Sequence, residues 1–147
     1  MDVFSDEYFM KQALAEAQKA FDKDEVPIGA VIVSNNTIIA RAHNLTEQLN
    51  DFTAHAEMQA YTSASNYLGN KYLNECTLYV TLEPCIMCAG AAFWTRIGRI
   101  VYGARDLKRG FLTDHKNSIH NKTDLSGGVL EFDSTKLISR FFKQKRQ

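Results

Sequence analysis

His55-Ala56-Glu57 and Pro84-Cys85-Ile86-Met87-Cys88 together supply one imidazole, two thiols and a carboxylate. The imidazole and the thiols are zinc ligands, and the carboxylate can carry a proton. Cys85 and Cys88 fall three residues apart at the start of an expected helix. Their sulfurs therefore share one face near the positive end of the helix dipole, which lowers thiol pKa and favours metal binding. A C-x-x-C pair alone also fits a structural zinc or a redox couple. A structural zinc wants four protein ligands, however, and the chain has no second C-x-x-C and no H-x-x-x-H. His55, Cys85 and Cys88 would instead make a three-ligand site with a position left for water. Zinc lowers the pKa of such a water from roughly 15.7 to about 7. Glu57, two residues beyond the histidine at the same helix start, could sit over that open position as a proton shuttle. Spacing alone does not separate this role from a ligand or from an ordinary first-turn glutamate.

The surrounding pattern predicts the elements that must position these groups. Ser5 is a plausible N-cap, followed by Asp6 and Glu7 where the dipole favours acids. Phe9, Met10, Ala13, Leu14, Ala17, Ala20 and Phe21 then recur at helical spacing, up to the charged stretch Asp22-Lys23-Asp24-Glu25. Ile28 to Val33 and Thr37 to Ala42 are β-prone runs around the turn signal Ser34-Asn35-Asn36, which predicts a hairpin. Asn44 to Thr53 is polar loop. A helix is expected from His55 to Leu68, closed by Gly69-Asn70. Thr77 to Leu82 reads as a buried strand, Cys85 to Trp94 as a helix and Arg99 to Gly103 as a strand. That order implies an α/β sandwich with some parallel strands. From Lys108 to Ser126 only loop and short helix are expected, then a brief strand at Val129 to Phe132. Asp133 or Ser134 would cap a last helix with Leu137, Ile138, Phe141 and Phe142 on one stripe. The other face of that helix holds Lys136, Arg140, Lys143, Lys145 and Arg146.

With 147 residues, 45% hydrophobic and 23% charged, the chain fits one globular domain, residues 1–147. A domain of that length buries roughly 70% of its unfolded surface, so it needs no disulfide staples. Cys76, the third cysteine, precedes an apolar strand, and three is an odd count. This reads as a protein of the reducing cytoplasm. The acidic start lacks the pattern of a signal peptide, and no run approaches the roughly 18 apolar residues of a membrane span. Formal net charge is zero and pI about 6.9, which excludes any global electrostatic argument for nucleic acid. Such a partner would have to meet a local patch.

The two opening fragments resemble the H-x-E and P-C-x-x-C signature of the zinc-dependent nucleoside and nucleobase deaminases, the cytidine/deoxycytidylate deaminase superfamily. Within it, the chain is similar to the bacterial tRNA adenosine deaminases. The resemblance is carried by Val26-Pro27-Ile28-Gly29-Ala30-Val31, Thr53-Ala54-His55-Ala56-Glu57, the block from Thr77 to Cys85, Arg96-Ile97-Gly98-Arg99, Gly103-Ala104-Arg105-Asp106 and the ending Phe141 to Arg146. It runs from about Asp6 to the C-terminus. It implies a cytidine-deaminase-like three-layer α/β/α sandwich with a five-stranded mixed sheet, one Zn²⁺ per subunit, and a homodimer. His55, Cys85 and Cys88 match the family's zinc ligands and Glu57 its proton shuttle. Asn44 matches an asparagine that contacts the flipped base, and Asp106 an aspartate near the substrate's sugar and backbone. Phe52 stands where the family often has proline. The segment from Lys108 to Gly127 departs from the family's RNA-touching loop.

The basic ending decides the substrate expected. Lys143, Lys145 and Arg146 occur in a neutral protein and coincide with the family's RNA-contacting tail, and phosphate contacts there would make binding salt-dependent. The expected reaction is hydrolytic deamination of adenosine to inosine at the wobble position of a tRNA anticodon loop. The alternatives are a deaminase of a free nucleobase or nucleoside, and a catalytically silent zinc or RNA-binding subunit.

Overall fold

The computed structural model describes residues 3–146. Helix α1, Asp6–Asp22, starts where expected: the Ser5 hydroxyl accepts the Tyr8 N–H at 3.1 Å, with Asp6 and Glu7 in the first turn. Strands β1, Gly29–Ser34, and β2, Thr37–His43, form the predicted hairpin. Its two connecting residues, Asn35 and Asn36, both have positive φ, the tight-turn geometry asparagine tolerates. Helix α2 spans Ala56–Leu68 and stops at left-handed Gly69, after which Asn70 N–H reaches back to Ser65 O at 3.1 Å. Strand β3, Cys76–Leu82, helix α3, Ile86–Thr95, and strand β4, Arg99–Ala104, complete the central alternation.

The sheet order is β2-β1-β3-β4-β5. β1 is antiparallel to both β2 and β3, whereas β4 runs parallel to β3 and to β5, so the sheet is mixed. Side chains alternate across it, as a pleated strand requires. Ala30, Ile32, Leu78, Val80, Ile100 and Tyr102 face α2 and α3, where they meet Ala56, Ala60, Tyr61 and Ala92. Val31, Val33, Tyr79 and Val101 face the other way, onto Phe9, Met10 and Ala13 of α1. Gly29 lets the first helix lie directly on β1, since a Cβ there would run into Ala13 O and Ala17 N. The expected three layers are therefore present, with helices on both faces of a five-stranded sheet.

The C-terminal third departs from expectation. The fifth strand, β5, is Asp124–Ser126, paired with Arg99–Val101 of β4, and Val129 to Phe132 is not a strand. Asp124-Leu125-Ser126 contains a single apolar residue and carries no alternation to read. Val129 and Leu130 are apolar because they pack against the α1 side of the sheet as loop. A short helix α4, Phe111–Asp114, and a single 3₁₀ turn, Lys116–Ser118, interrupt the preceding segment. Helix α5, Glu131–Lys145, begins before the expected caps, with left-handed Leu130 at its N-cap position. Asp133 lies inside the helix, and Ser134 is buried there, its N–H bonded to Leu130 O. Of the expected stripe, Leu137 and Phe141 are buried, Ile138 half-buried and Phe142 exposed.

Candidate metal centre

β3 and β4 are adjacent parallel strands, and the chain leaves both at the same edge of the sheet. Ligands in α/β proteins collect beyond such carboxyl ends. Cys85 follows β3 by three residues and Asp106 follows β4 by two. His55 and Cys85 are the N-cap residues of α2 and α3, and neither spends its side chain on capping its helix. Both helices therefore direct their positive ends toward one point, and the side chains there are free for another ligand.

Cys85 Sγ lies 3.6 Å and Cys88 Sγ 3.5 Å from His55 Nδ1. All three donor atoms fall within 4.8 Å of one another. A tetrahedral zinc with sulfurs at ~2.3 Å and nitrogen at ~2.05 Å places each sulfur ~3.6 Å from the nitrogen, so the donor set fits zinc. Hydrogen bonds from the Cys88 thiol and from His55 hold the Cys85 thiol down to about 4. Its bond to Cys85, together with burial, pushes the Cys88 thiol up. The Cys85 contact likewise raises His55. Two thiols and an imidazole held this close suit a divalent cation, which replaces the shared protons on binding.

Glu57 is buried on the first turn of α2, directly behind His55. Burial pushes its carboxyl up to about 7; bonds from its own N–H and from Cys88 pull the other way, while negative charge at Cys85 adds to the rise. An acid poised near neutrality can both take and return a proton. Tyr61, one turn further on, donates its hydroxyl to Cys88 O at 3.2 Å and braces the two helix starts against each other.

The other expected residues are held differently. Asn44 is buried at the start of the 44–54 loop, and Leu45 N–H donates to Ala54 O at 3.0 Å across the neck of that loop, drawing its two ends together. Its amide donates to Val26 O at 3.4 Å, and its oxygen accepts Thr46 N–H at 3.3 Å. Each end of that amide keeps a further hydrogen or lone pair for a ligand. Asp106 Oδ1 accepts the N–H groups of Lys108 and Arg109 at 3.2 and 3.1 Å, capping its own turn and leaving Oδ2 for other contacts. That turn is bound to the metal group's loop by a bridge between Cys85 and Gly110. Lys143 and Lys145 lie in the last turn of α5, with Arg146 as its C-cap, and the helix packs against α1 and β4. Lys145 is engaged there, 2.5 Å from Asp24 Oδ2, whereas Lys143 and Arg146 stay exposed.

Two buried acids that hold the loops around this group, Glu83 and Glu25, were not singled out by the sequence. Glu83 accepts Arg105 Nε at 2.6 Å, Asp106 N–H at 3.0 Å and Leu112 N–H at 2.8 Å. Glu25 accepts the N–H groups of Glu47 and Gln48 at 3.0 and 2.7 Å and so holds the tip of the 44–54 loop. The position of Glu83, between a buried strand and Pro84, was a usable signal. Glu25 sits in a run of charges that hides it.

A family model, the cytidine and deoxycytidylate deaminase zinc-binding region, matches residues 4–104. The chain belongs to that family of zinc-binding deaminases, and the His55, Cys85 and Cys88 group is placed to hold its one metal ion. Among its members, the chain is 46% identical over 144 residues to the tRNA-specific adenosine deaminase of Aquifex aeolicus, covering 95% of each. It is also 46% identical over 147 residues to that of Bacillus subtilis, covering 97% of this chain and 91% of the relative. A solved tRNA:A34 deaminase, which carries out A-to-I editing at the wobble position of transfer RNA, superposes with a TM-score of 0.83 at 44% identity. It covers 88% of this chain, which in turn covers 98% of it.

Proposed function

We propose that this chain deaminates adenosine to inosine at the wobble position of tRNA. The observation that carries the reading is the full-length similarity to tRNA-specific adenosine deaminases, together with a three-donor metal group that has a buried carboxyl beside it. Zinc, when bound by His55, Cys85 and Cys88, supplies the Lewis acidity that makes water a nucleophile near pH 7. Glu57 does the proton work. It takes one proton as the water oxygen bonds to C6 of adenine and the C6=N1 π pair moves to N1, which receives that proton; it then carries the remaining hydroxyl proton to N6, so that C6=O forms, the C6–N6 bond breaks and ammonia leaves. The adenine must leave the anticodon loop to reach a group this deep. In this reading Asn44 holds the flipped base with the free side of its amide, and Asp106 meets the sugar and backbone of the same nucleotide. Lys143 and Arg146, with Lys145 when released from Asp24, add phosphate contacts.

The same reading takes the chain as one domain that acts as a cytoplasmic homodimer, which sedimentation at several protein concentrations tests. No described helix is long and apolar enough to cross a membrane. The reaction is tested by supplying the zinc-loaded protein separately with an anticodon stem-loop and with free guanine, cytosine and adenosine, and measuring inosine and ammonia. Inosine in the stem-loop is the expected result. Ammonia from free bases or nucleosides alone would overturn it.

A further inference from the structure

The 44–54 loop leaves the sheet at Asn44 and re-enters the fold at His55, so its neck sets where a base-holding amide stands relative to the metal group. One backbone bond, from Leu45 N–H to Ala54 O, closes that neck. Gln59, one turn into α2, closes it a second time. Its Nε2 donates to His43 O at 2.8 Å and to Ala54 O at 3.1 Å. An amide nitrogen carries two hydrogens, and these bonds use both. His55 O, at 3.5 Å from the same nitrogen, lies beyond the range of a strong bond. The two acceptors are the carbonyls that immediately precede Asn44 and His55 in the chain.

His43 is fixed from its other end as well. Its Nδ1 lies 3.1 Å from Glu16 Oε1, and its Nε2 3.1 Å from Lys23 Nζ. A lysine ammonium only donates, so Nε2 accepts and the hydrogen sits on Nδ1, where Glu16 accepts it. The ring is thus tethered to α1 and the carbonyl to α2. With Glu25 holding the loop tip, Gln59 is the side chain that joins the neck directly to the helix bearing Glu57.

We propose that Gln59 is a positioning residue whose amide locks the neck of the 44–54 loop and fixes Asn44 against the metal ligand His55. The inference rests on the role proposed above for Asn44. A side chain of similar size that cannot donate leaves His43 O without this partner, while Leu45 still closes the loop. The expected defect is a misplaced Asn44 and a loosened His55 in a folded protein. Small displacements of this kind cost on the order of tenfold to a hundredfold in rate.

Gln59→Leu, Gln59→Glu and Gln59→Lys test the inference. The first two cannot donate, and the third restores a donor. We expect the Leu and Glu variants to melt within a few degrees of the parent. They should lose on the order of tenfold in kcat/KM on the anticodon stem-loop, and on the order of tenfold in zinc retention against a chelator. The Lys variant should recover most of both. In an Asn44→Ala background held at saturating zinc, Gln59→Leu should cost little further activity, because the amide being positioned is gone, while the loss of zinc retention through His55 persists. Parent-like kcat/KM and zinc retention in Gln59→Leu, equal losses in the Lys and Glu variants, or full additivity with Asn44→Ala would each overturn the inference. Should Gln59→Leu fail to fold, the Lys and Glu pair makes the same comparison. Zinc retention is read without any substrate, so an inactive parent would count against the proposed reaction and leave the role of Gln59 to be decided by the chelator.

Discussion

Glu83 accepts Arg105 Nε at 2.6 Å with no exposed side-chain surface of its own. The same carboxylate receives the N–H groups of Asp106 and Leu112. A Cβ at Gly110 would collide with it, so the chain passes as close as glycine allows. One buried charge therefore ties the segment carrying Asp106 to the segment carrying Cys85. In Glu83→Gln, an NH₂ group would face either Leu112 N–H or the pair of donors from Arg105 and Asp106. Because Arg105 is partly exposed, the expected cost is below that of a fully buried pair, about 2 to 3 kcal/mol. Urea unfolding reads it, and a change under about 0.5 kcal/mol would contradict the role given to Glu83.

Acid stability should depend on Asp6. Its two carboxylate oxygens receive Arg99 Nη1 and Nη2, each at 2.8 Å, and Tyr79 donates its hydroxyl at the same distance. The Arg99 bond holds the Asp6 carboxyl below its ordinary value, against a smaller opposing effect of burial. A depressed carboxyl stabilises the fold above its unfolded pKa of about 3.9, and this contribution is lost as pH falls through the folded value. The gap in urea midpoint between the parent and Asp6→Asn should be steady from pH 5 to pH 8 and narrow as the pH falls below that unfolded value. A gap that widens toward acid would have the wrong sign.

The basic residues of α5 should separate into two kinds. Lys145 pairs with Asp24 at an exposed site, where such a bridge contributes about 0 to 1 kcal/mol. Lys143→Ala and Arg146→Ala should each weaken stem-loop binding and reduce the slope of log affinity against log salt by about 1. Lys145→Ala should change that slope less, since Asp24 already competes for the ammonium. Filter binding between 50 and 200 mM salt checks this, and three equal changes would remove the distinction.

The metal group was legible because its residues are few and their spacing is narrow. His55 and Cys85 were expected inside helices and are N-caps, a one-residue difference that leaves both side chains uncommitted to capping and facing each other. The hairpin and the central alternation were legible from period-two runs and asparagine turns. β5 was not: three residues with one apolar side chain pair along β4 through backbone bonds alone, which leave no mark on composition. Glu25 and Gln59 were hidden for a related reason. Each acts by bonding backbone groups of the 43–54 segment, and a backbone N–H or C=O has no residue type to recognise.

Glu57→Ala, loaded with one zinc per chain and given an anticodon stem-loop with adenosine at the wobble position, tests the central claim most directly. His55, Cys85 and Cys88 are untouched in that variant, so zinc content should match the parent. Loss of the proton carrier should lower the rate by at least about a hundredfold to ten-thousandfold. Inosine from the parent and none above background from Glu57→Ala is the predicted result. Near-parental inosine from Glu57→Ala at equal zinc content would contradict the account.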